Sequence, residues 1–326
     1  MTIDGEGLES RRNFLQTALG AFCALRLNTQ GSPVAPTTKS DLKMFKNLGT
    51  GHIGVKANQL QALDYAIQFG FGGVNVHADD IEKMPVDQRQ NLLARMREHN
   101  IRWGVSGLSV QFRTTEEEFK KTIIALPART KVLTEVGARR VCTWIVPGDN
   151  QLTYRQNFEQ HRRRLTEVAN ILNNEGISLG LEFVGPKPSR DASRFHFIHT
   201  LEELLELNEA IGLDNVGILL DSYHWFTSGG SVADIQRLEG KRIVEVHVND
   251  ALPGIPVEQL PDTRRALPCS TGVIDLKGFM TALASIGYNG PVTCEPFDRE
   301  LNQMEDEAAV KKTAEAMDRV FALLPS

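Results

Sequence analysis

Cysteine is scarce in this chain of 326 residues. Four are present, Cys23, Cys142, Cys269 and Cys294, and no two form a C-x-x-C pair. That scarcity leaves neither a disulfide framework nor a thiolate zinc site. No G-x-G-x-x-G opens the first β-to-α connection, so a doubly wound dinucleotide-binding sheet lacks its fingerprint. Positive charge is not in excess either: 36 Lys and Arg stand against 41 Asp and Glu, a net charge of -5, and the basic residues are dispersed except at Arg162-Arg163-Arg164. A nucleic-acid partner is therefore not expected, because no basic field is available to hold a polyanion. Low-complexity tracts are missing, and 41% of the residues are hydrophobic, as a globular chain requires.

The N-terminus is a separate case. Ser10-Arg11-Arg12-Asn13-Phe14-Leu15, followed by TALGAFCAL and the stretch SPVAPTTKS, reads as a twin-arginine signal and linker over residues 1–40. It predicts a periplasmic or exported protein, the alternative being a cytoplasmic one with a polar tail. The apolar segment is too short to span a bilayer and is interrupted by Arg26, so no stable membrane anchor is expected. Residues 41–326 are expected to form one domain.

From residue 45 the chain alternates β-rich runs with helical patterns. Strand candidates fall at 45–55, 72–78, 101–110, 139–148, 177–185, 215–225, 242–250 and 291–297. Helical punctuation lies between them: Thr200 with Glu203 and Thr115 with Glu118 have capping-box spacing, and glycines at 70, 176, 212 and 287 follow helical patterns. Eight βα units over about 280 residues predict an α/β fold, the (β/α)8 TIM barrel, whose active site lies at the C-terminal ends of its strands.

Four later strands end alike in chemistry. ISLGLE ends in Glu182, VGILLD in Asp221, RIVEVH in His247 and PVTCE in Glu295. A barrel brings these ends to one mouth. A single carboxylate at a strand end is ordinarily a helix cap or a solvated loop residue. Four chelating residues at four equivalent positions point instead to one divalent metal ion, because three clustered carboxylates repel one another without a cation. Three oxygen donors and one nitrogen donor suit Mn²⁺, Mg²⁺, Co²⁺ or Zn²⁺. His224, three residues after Asp221, either joins the site or contacts a substrate oxygen. Glu245 shares the strand parity of His247, which places it inward as a partner of that imidazole or as a layer of barrel packing. His52, His77 and Trp144 sit near the earlier strands, where they either line a substrate pocket or pack.

The segments LEF (181–183), LLDSYH (219–224), VHVND (246–250), RALP with TGVID (265–275) and CEPF (294–297) together resemble the sugar isomerase/epimerase superfamily of xylose isomerase-like barrels, which includes ketose 3-epimerases and hydroxypyruvate isomerase. The resemblance covers residue 45 to the C-terminus. It implies that Glu182, Asp221, His247 and Glu295 ligate one divalent metal, that Glu182 and Glu295 are the acid/base pair, and that His224 and Arg265 contact substrate oxygens. It also implies a small sugar or keto-sugar substrate, isomerised or epimerised through an enediolate, and a homodimeric or homotetrameric assembly. The chain departs from the family's P-G-x-x-G turn, having Cys269 after Pro268. Of Arg264 and Arg265, the second keeps the R-x-x-P spacing. A metal-dependent lyase or dehydratase on inositol- or keto-sugar-like substrates uses the same first step and is the nearest rival. Endonuclease-like hydrolases of this barrel need a further histidine that TGVIDLKGF does not supply, and a sugar-binding barrel without turnover would have no use for both glutamates.

Overall fold

The computed structural model describes residues 44–325. The segment expected to carry an export signal lies outside the described residues. Among those described, no helix is long and apolar enough to cross a membrane.

Eight parallel strands form the inner layer: β1 (Phe45–Leu48), β2 (Gly73–Val74), β3 (Arg102–Trp103 continued by Ser106–Gly107), β4 (Arg140–Trp144), β5 (Ser178–Glu182), β6 (Val216–Asp221), β7 (Ile243–Val248) and β8 (Pro291–Cys294). All eight expected strands are present, each shorter than its β-rich run because the C-terminal part of the run turns into the loop above it. Neighbours pair in the order β3-β2-β1-β8-β7-β6-β5-β4, and β4 pairs in turn with the second half of β3, so the sheet closes on itself. Closure removes both edges, as a barrel must. The break in β3 falls at Gly104-Val105. The ladder nevertheless continues there through Gly104 N–H to Val74 O at 2.9 Å and Val76 N–H to Val105 O at 2.9 Å.

Helices wrap the barrel because their apolar residues recur at helical spacing. In Tyr154–Asn174 the buried residues Leu165, Val168, Ala169 and Leu172 form one stripe. The helix Leu201–Ile211 opens with the expected reciprocal capping box between Thr200 and Glu203. At Thr115 the cap is one-sided, the hydroxyl accepting from Glu118 N–H. Thr153 and Gln156 form a further box that sequence reading did not single out. Gly212 ends its helix at φ 69°, a left-handed conformation costly for residues with a Cβ.

Strand register sets the level of the mouth. Trp144 pairs with Glu182, Asp221 with His247, and His247 with Thr293. The barrel interior below is divided by chemistry: Val105, Cys142, Leu219 and Val244 form a small apolar cluster, whereas Asn47, Glu245 and Thr293 are buried polar residues. Gly104 lies against the polar part, where a Cβ would fall 2.4 Å from Asn75 Oδ1 and 2.5 Å from Asn47 Nδ2. Both amides are fixed by hydrogen bonds, Asn47 Nδ2 to Asn75 Oδ1 at 2.8 Å and Val105 N–H to the same oxygen at 3.0 Å. Gly104→Ala should therefore lower stability by about 1–3 kcal/mol, as overpacking does. A urea midpoint equal to that of the wild type would show that the amides yield freely.

Candidate metal and active site

Each of the four strand ends delivers its side chain to one point. Ligand-capable atoms of Glu182, Asp221, His247 and Glu295 all lie within 4.8 Å of one another. His247 Nδ1 stands 3.3 Å from Glu295 Oε2, 3.7 Å from Glu182 Oε1 and 3.8 Å from Asp221 Oδ2. Asp221 is fully buried, and Glu182 and His247 nearly so. Buried polar atoms are normally paired, yet His247 Nδ1 and Glu182 Oε1 have no hydrogen-bond partner. Three carboxylates and an imidazole with unpaired atoms turned to a common centre fit a divalent cation.

Asp221 has two duties. Its Oδ1 accepts from Tyr223 N–H at 2.5 Å and His224 N–H at 3.2 Å, capping the short helix Ser222–Thr227. Its Oδ2 accepts from Arg265 Nη1 at 2.8 Å, and Asn249 Nδ2 reaches the same oxygen at 3.2 Å. The helix-cap role and the site role thus fall on the same carboxylate.

Arg265 is buried while Arg264 is exposed. Its guanidinium also donates to Asp262 Oδ1 at 2.8 Å and to Glu295 Oε2 at 3.3 Å, and it lies between the Tyr223 and Phe297 rings. His224 Nε2 is 3.2 Å from Arg265 Nη2 and 3.9 Å from Glu182 Oε1, with Gly185 N–H directed at its Nδ1. Gly185 must be glycine there, since a Cβ would fall 2.4 Å from His224 O. Both His224 and Arg265, expected to touch substrate oxygens, are held against the carboxylates rather than exposed on a wall.

A cavity of about 310 Å³ opens beside the cluster, at the lower end of the range for small-molecule sites. Glu182, His247, Glu245 and Glu295 line it together with Thr50, His52, His77, Ser106, Thr143 and Trp144. His77 Nε2 is 3.1 Å from Thr50 Oγ1. Trp144 is 52% exposed at the rim. It is steadied by Arg113, whose Nε donates to Trp144 O at 2.9 Å, whose Nη2 bonds Thr143 Oγ1, and whose guanidinium lies over the indole at 4.0 Å. Sequence reading did not mark Arg113, which sits in a loop with no motif around it. His52, for which packing was the ordinary expectation, has Nε2 3.8 Å from Glu295 Oε1. Glu245 is buried, with Oε2 3.4 Å from His247 Nε2. Trp103 donates from its indole to Val136 O at 2.7 Å.

The environment drives the pKa values of Glu182 and Glu295 apart. Burial and then the Glu295 charge push the Glu182 carboxyl well above the usual range. Burial also opposes ionisation of Glu295, but His247, His52 and Arg265 outweigh it and hold that group below the usual range. For His247 the carboxylates Glu295 and Glu245 overcome burial and raise its pKa. Burial lowers those of His224 and His52.

The loop that carries Arg265 is organised by Asp250. This buried carboxylate accepts from five backbone N–H groups: Ala251, Val273 and Ile274 on Oδ1 at 3.0, 3.1 and 3.1 Å, and Thr271 and Gly272 on Oδ2 at 3.0 and 2.8 Å. Its backbone exchanges two hydrogen bonds with Ala266, both 2.8 Å. Cys269 takes φ 59° in this loop, the left-handed conformation that explains why glycine is expected at that position. Asp250→Ala would leave the five donors unsatisfied and is expected to cost about 2–5 kcal/mol. Thermal unfolding at the wild-type temperature would contradict this account of the loop.

The description "Xylose isomerase-like TIM barrel" applies to a family model that matches residues 63–320. Inosose isomerase of Bacillus velezensis is 25% identical over 271 residues, covering 82% of this chain and 93% of its own. L-ribulose 3-epimerase of Methylomonas sp. is 25% identical over 257 residues, 75% of this chain and 80% of its own. Among solved structures, the IOLI protein with a bound zinc atom superposes with a TM-score of 0.72 at 23% identity, over 87% of this chain and 100% of that one. A match over more than half of the chain, on a closed eight-stranded barrel, leaves one conclusion about kinship: the chain belongs to the xylose isomerase-like TIM barrel family.

Proposed function

We propose that this protein is a divalent-metal-dependent isomerase or epimerase of a small sugar or keto-sugar, working by proton transfer at the carbon next to a carbonyl. One observation carries the reading: two glutamates, Glu182 and Glu295, face one cavity from neighbouring positions around a four-residue donor set. The names of the relatives, an isomerase of inosose and an epimerase of ribulose, point the same way, as does the zinc in the IOLI protein.

Glu182, Asp221, His247 and Glu295 would hold the cation. When bound, it supplies Lewis-acid stabilisation of the negative charge that develops on substrate oxygens, worth several kcal/mol. The cavity's hydroxyl and imidazole groups, with the Trp144 face, bind and orient the polyol. Of the two glutamates, one removes the α-proton and the other returns a proton. Return to the same carbon gives an epimer, and return to the adjacent carbon gives an isomer. Arg265 keeps Glu295 and Asp221 ionised and in place. His224, whose pKa burial lowers, lies between Arg265 and Glu182. Mn²⁺, Mg²⁺, Co²⁺ and Zn²⁺ all suit the donor set, and a paired assembly in solution is consistent with the family resemblance.

Glu182→Gln and Glu295→Gln should each slow deuterium incorporation at the substrate α-carbon in D₂O by ~10²–10⁴-fold, the usual contribution of a positioned acid or base. Inosose and ketoses supplied with each metal are the substrates to use, followed by proton NMR. Wild-type exchange in both variants would rule out the paired-glutamate mechanism, and loss of water from the substrate would move the protein to the dehydratases.

Metal binding should also depend on pH with a definite sign. Without a cation, His247 and Glu182 have raised pKa values, so both retain protons to higher pH than usual, and these must leave before the groups can ligate. Affinity for Zn²⁺ should therefore rise with pH and level off once both raised pKa values are passed. Calorimetry in buffers of different ionisation enthalpy should show net proton release. Binding without proton release near neutral pH would mean that the ligands are not these groups.

A further inference from the structure

Beneath the four strand ends runs a line of polar groups that the proton transfer itself does not require. It crosses the barrel interior from β3 to β7. Val105 N–H donates to Asn75 Oδ1 at 3.0 Å, and Asn47 Nδ2 donates to the same oxygen at 2.8 Å. Asn47 Nδ2 also donates to Thr293 Oγ1 at 2.9 Å, and Thr293 Oγ1 donates to Glu245 Oε1 at 2.7 Å. Glu245 Oε2 faces His247 Nε2 at 3.4 Å, and both are buried polar atoms without a hydrogen-bond partner.

The polarity of this line follows from its first link. A backbone N–H can only donate, so the Asn75 atom it meets is the amide oxygen. The Asn47 group facing that oxygen must then be the NH₂, which spends one proton there and one on Thr293. Having accepted from Asn47, the Thr293 hydroxyl directs its single proton to Glu245, which accepts at Oε1 as a carboxylate does. The remaining Glu245 oxygen can be satisfied only by a donor, and the atom opposite it is His247 Nε2. A proton on Nε2 leaves the lone pair of the neutral ring on Nδ1, the nitrogen that faces Glu182, Asp221 and Glu295.

Packing alone does not call for this arrangement. The residues two before the strand-end carboxylates on β5 and β6 are Gly180 and Leu219, so small or apolar groups serve the same interior layer there. A carboxylate with no exposed surface costs several kcal/mol unless it is paired. We infer that Glu245, held by Thr293 and Asn47, is a positioning residue that fixes His247 with its proton on Nε2 and its lone pair on Nδ1 toward the three carboxylates, and so tightens binding of the divalent cation. The inference rests on the metal-dependent reading above and adds the residues that orient its one nitrogen donor.

The test uses the full chain loaded with Zn²⁺. Nitrogen NMR of protein labelled with ¹⁵N-histidine should find the His247 proton on Nε2 and none on Nδ1. Competition with a chromophoric chelator should give a Zn²⁺ dissociation constant raised ~10–100-fold in Thr293→Val and in Glu245→Gln, the usual effect of losing a partner of a metal-bound histidine. Thr293→Ser, which keeps the hydroxyl, should bind as the wild type does, which separates lost orientation from a disturbed fold. A proton on Nδ1, or wild-type affinity in both Thr293→Val and Glu245→Gln, would overturn the inference while leaving the metal site standing. A wild-type protein that takes up no Zn²⁺ would instead remove the metal-dependent reading and this inference with it.

Discussion

Mutual repulsion among Glu182, Asp221 and Glu295 is the constraint around which the mouth of this barrel is arranged. Their oxygens lie within 4.8 Å of one another with little access to water, where like charges interact far more strongly than at a surface. The compensating groups come from outside the four strand ends. Arg265 approaches Asp221 and Glu295 from the loop after β7, and that loop takes its shape from five N–H groups gathered on Asp250. Asn249 Nδ2 donates to both Asp221 oxygens, and the first turn of Ser222–Thr227 adds its N–H groups. Even so, Glu182 keeps an unpaired buried oxygen and a raised pKa. A divalent cation would resolve this residual strain, so the demand for metal is electrostatic before it is catalytic.

The barrel was legible in the sequence because its strands carry two signals at once. Apolar runs mark where each strand is buried, and the abrupt change to Glu, Asp or His marks where it emerges at the mouth. β2 and β3 show the limit of this method. Each pairs over only a few residues, since Gly73 and Gly104 sit where Phe45, Asn47 and Asn75 press into the backbone, so the β-rich stretches there overstate the strands. The inward choice of Arg265 over Arg264 was also legible, from the spacing to Pro268, and the left-handed φ of Cys269 accounts for the departure at that turn.

What the sequence concealed has a common physical cause. Asn47, Asn75 and Thr293 look like ordinary strand-edge or loop residues in a linear reading, because polar side chains are expected to face water. Only closure of the barrel makes their face an interior one, and only then do residues more than two hundred positions apart, such as Asn47 and Thr293, become hydrogen-bond partners. Asp250 was visible as part of VHVND but not as the acceptor that shapes a loop some twenty residues later. His52 and Arg113 lie in connections, where local pattern carries little information about direction.

The mouth is divided by labour as well as by charge. The carboxylate and imidazole cluster comes from β5 to β8, as Glu182, Asp221, His247 and Glu295, whereas Thr50, His52, His77, Ser106, Thr143 and Trp144 come from the ends of β1 to β4 and the loops that follow them. The first set is tied into buried hydrogen bonds and ion pairs, so a substitution there disturbs several partners at once. Of the second set, Trp144 is exposed, and the Arg113 guanidinium lies over its indole. A barrel built this way can alter the lining supplied by β1 to β4 while leaving the carboxylate and imidazole cluster in place. On the proposed proton-transfer reading, discrimination between an inosose and an open-chain ketose would fall to the Trp144 side of the cavity, and the metal side would decide only that an α-proton moves.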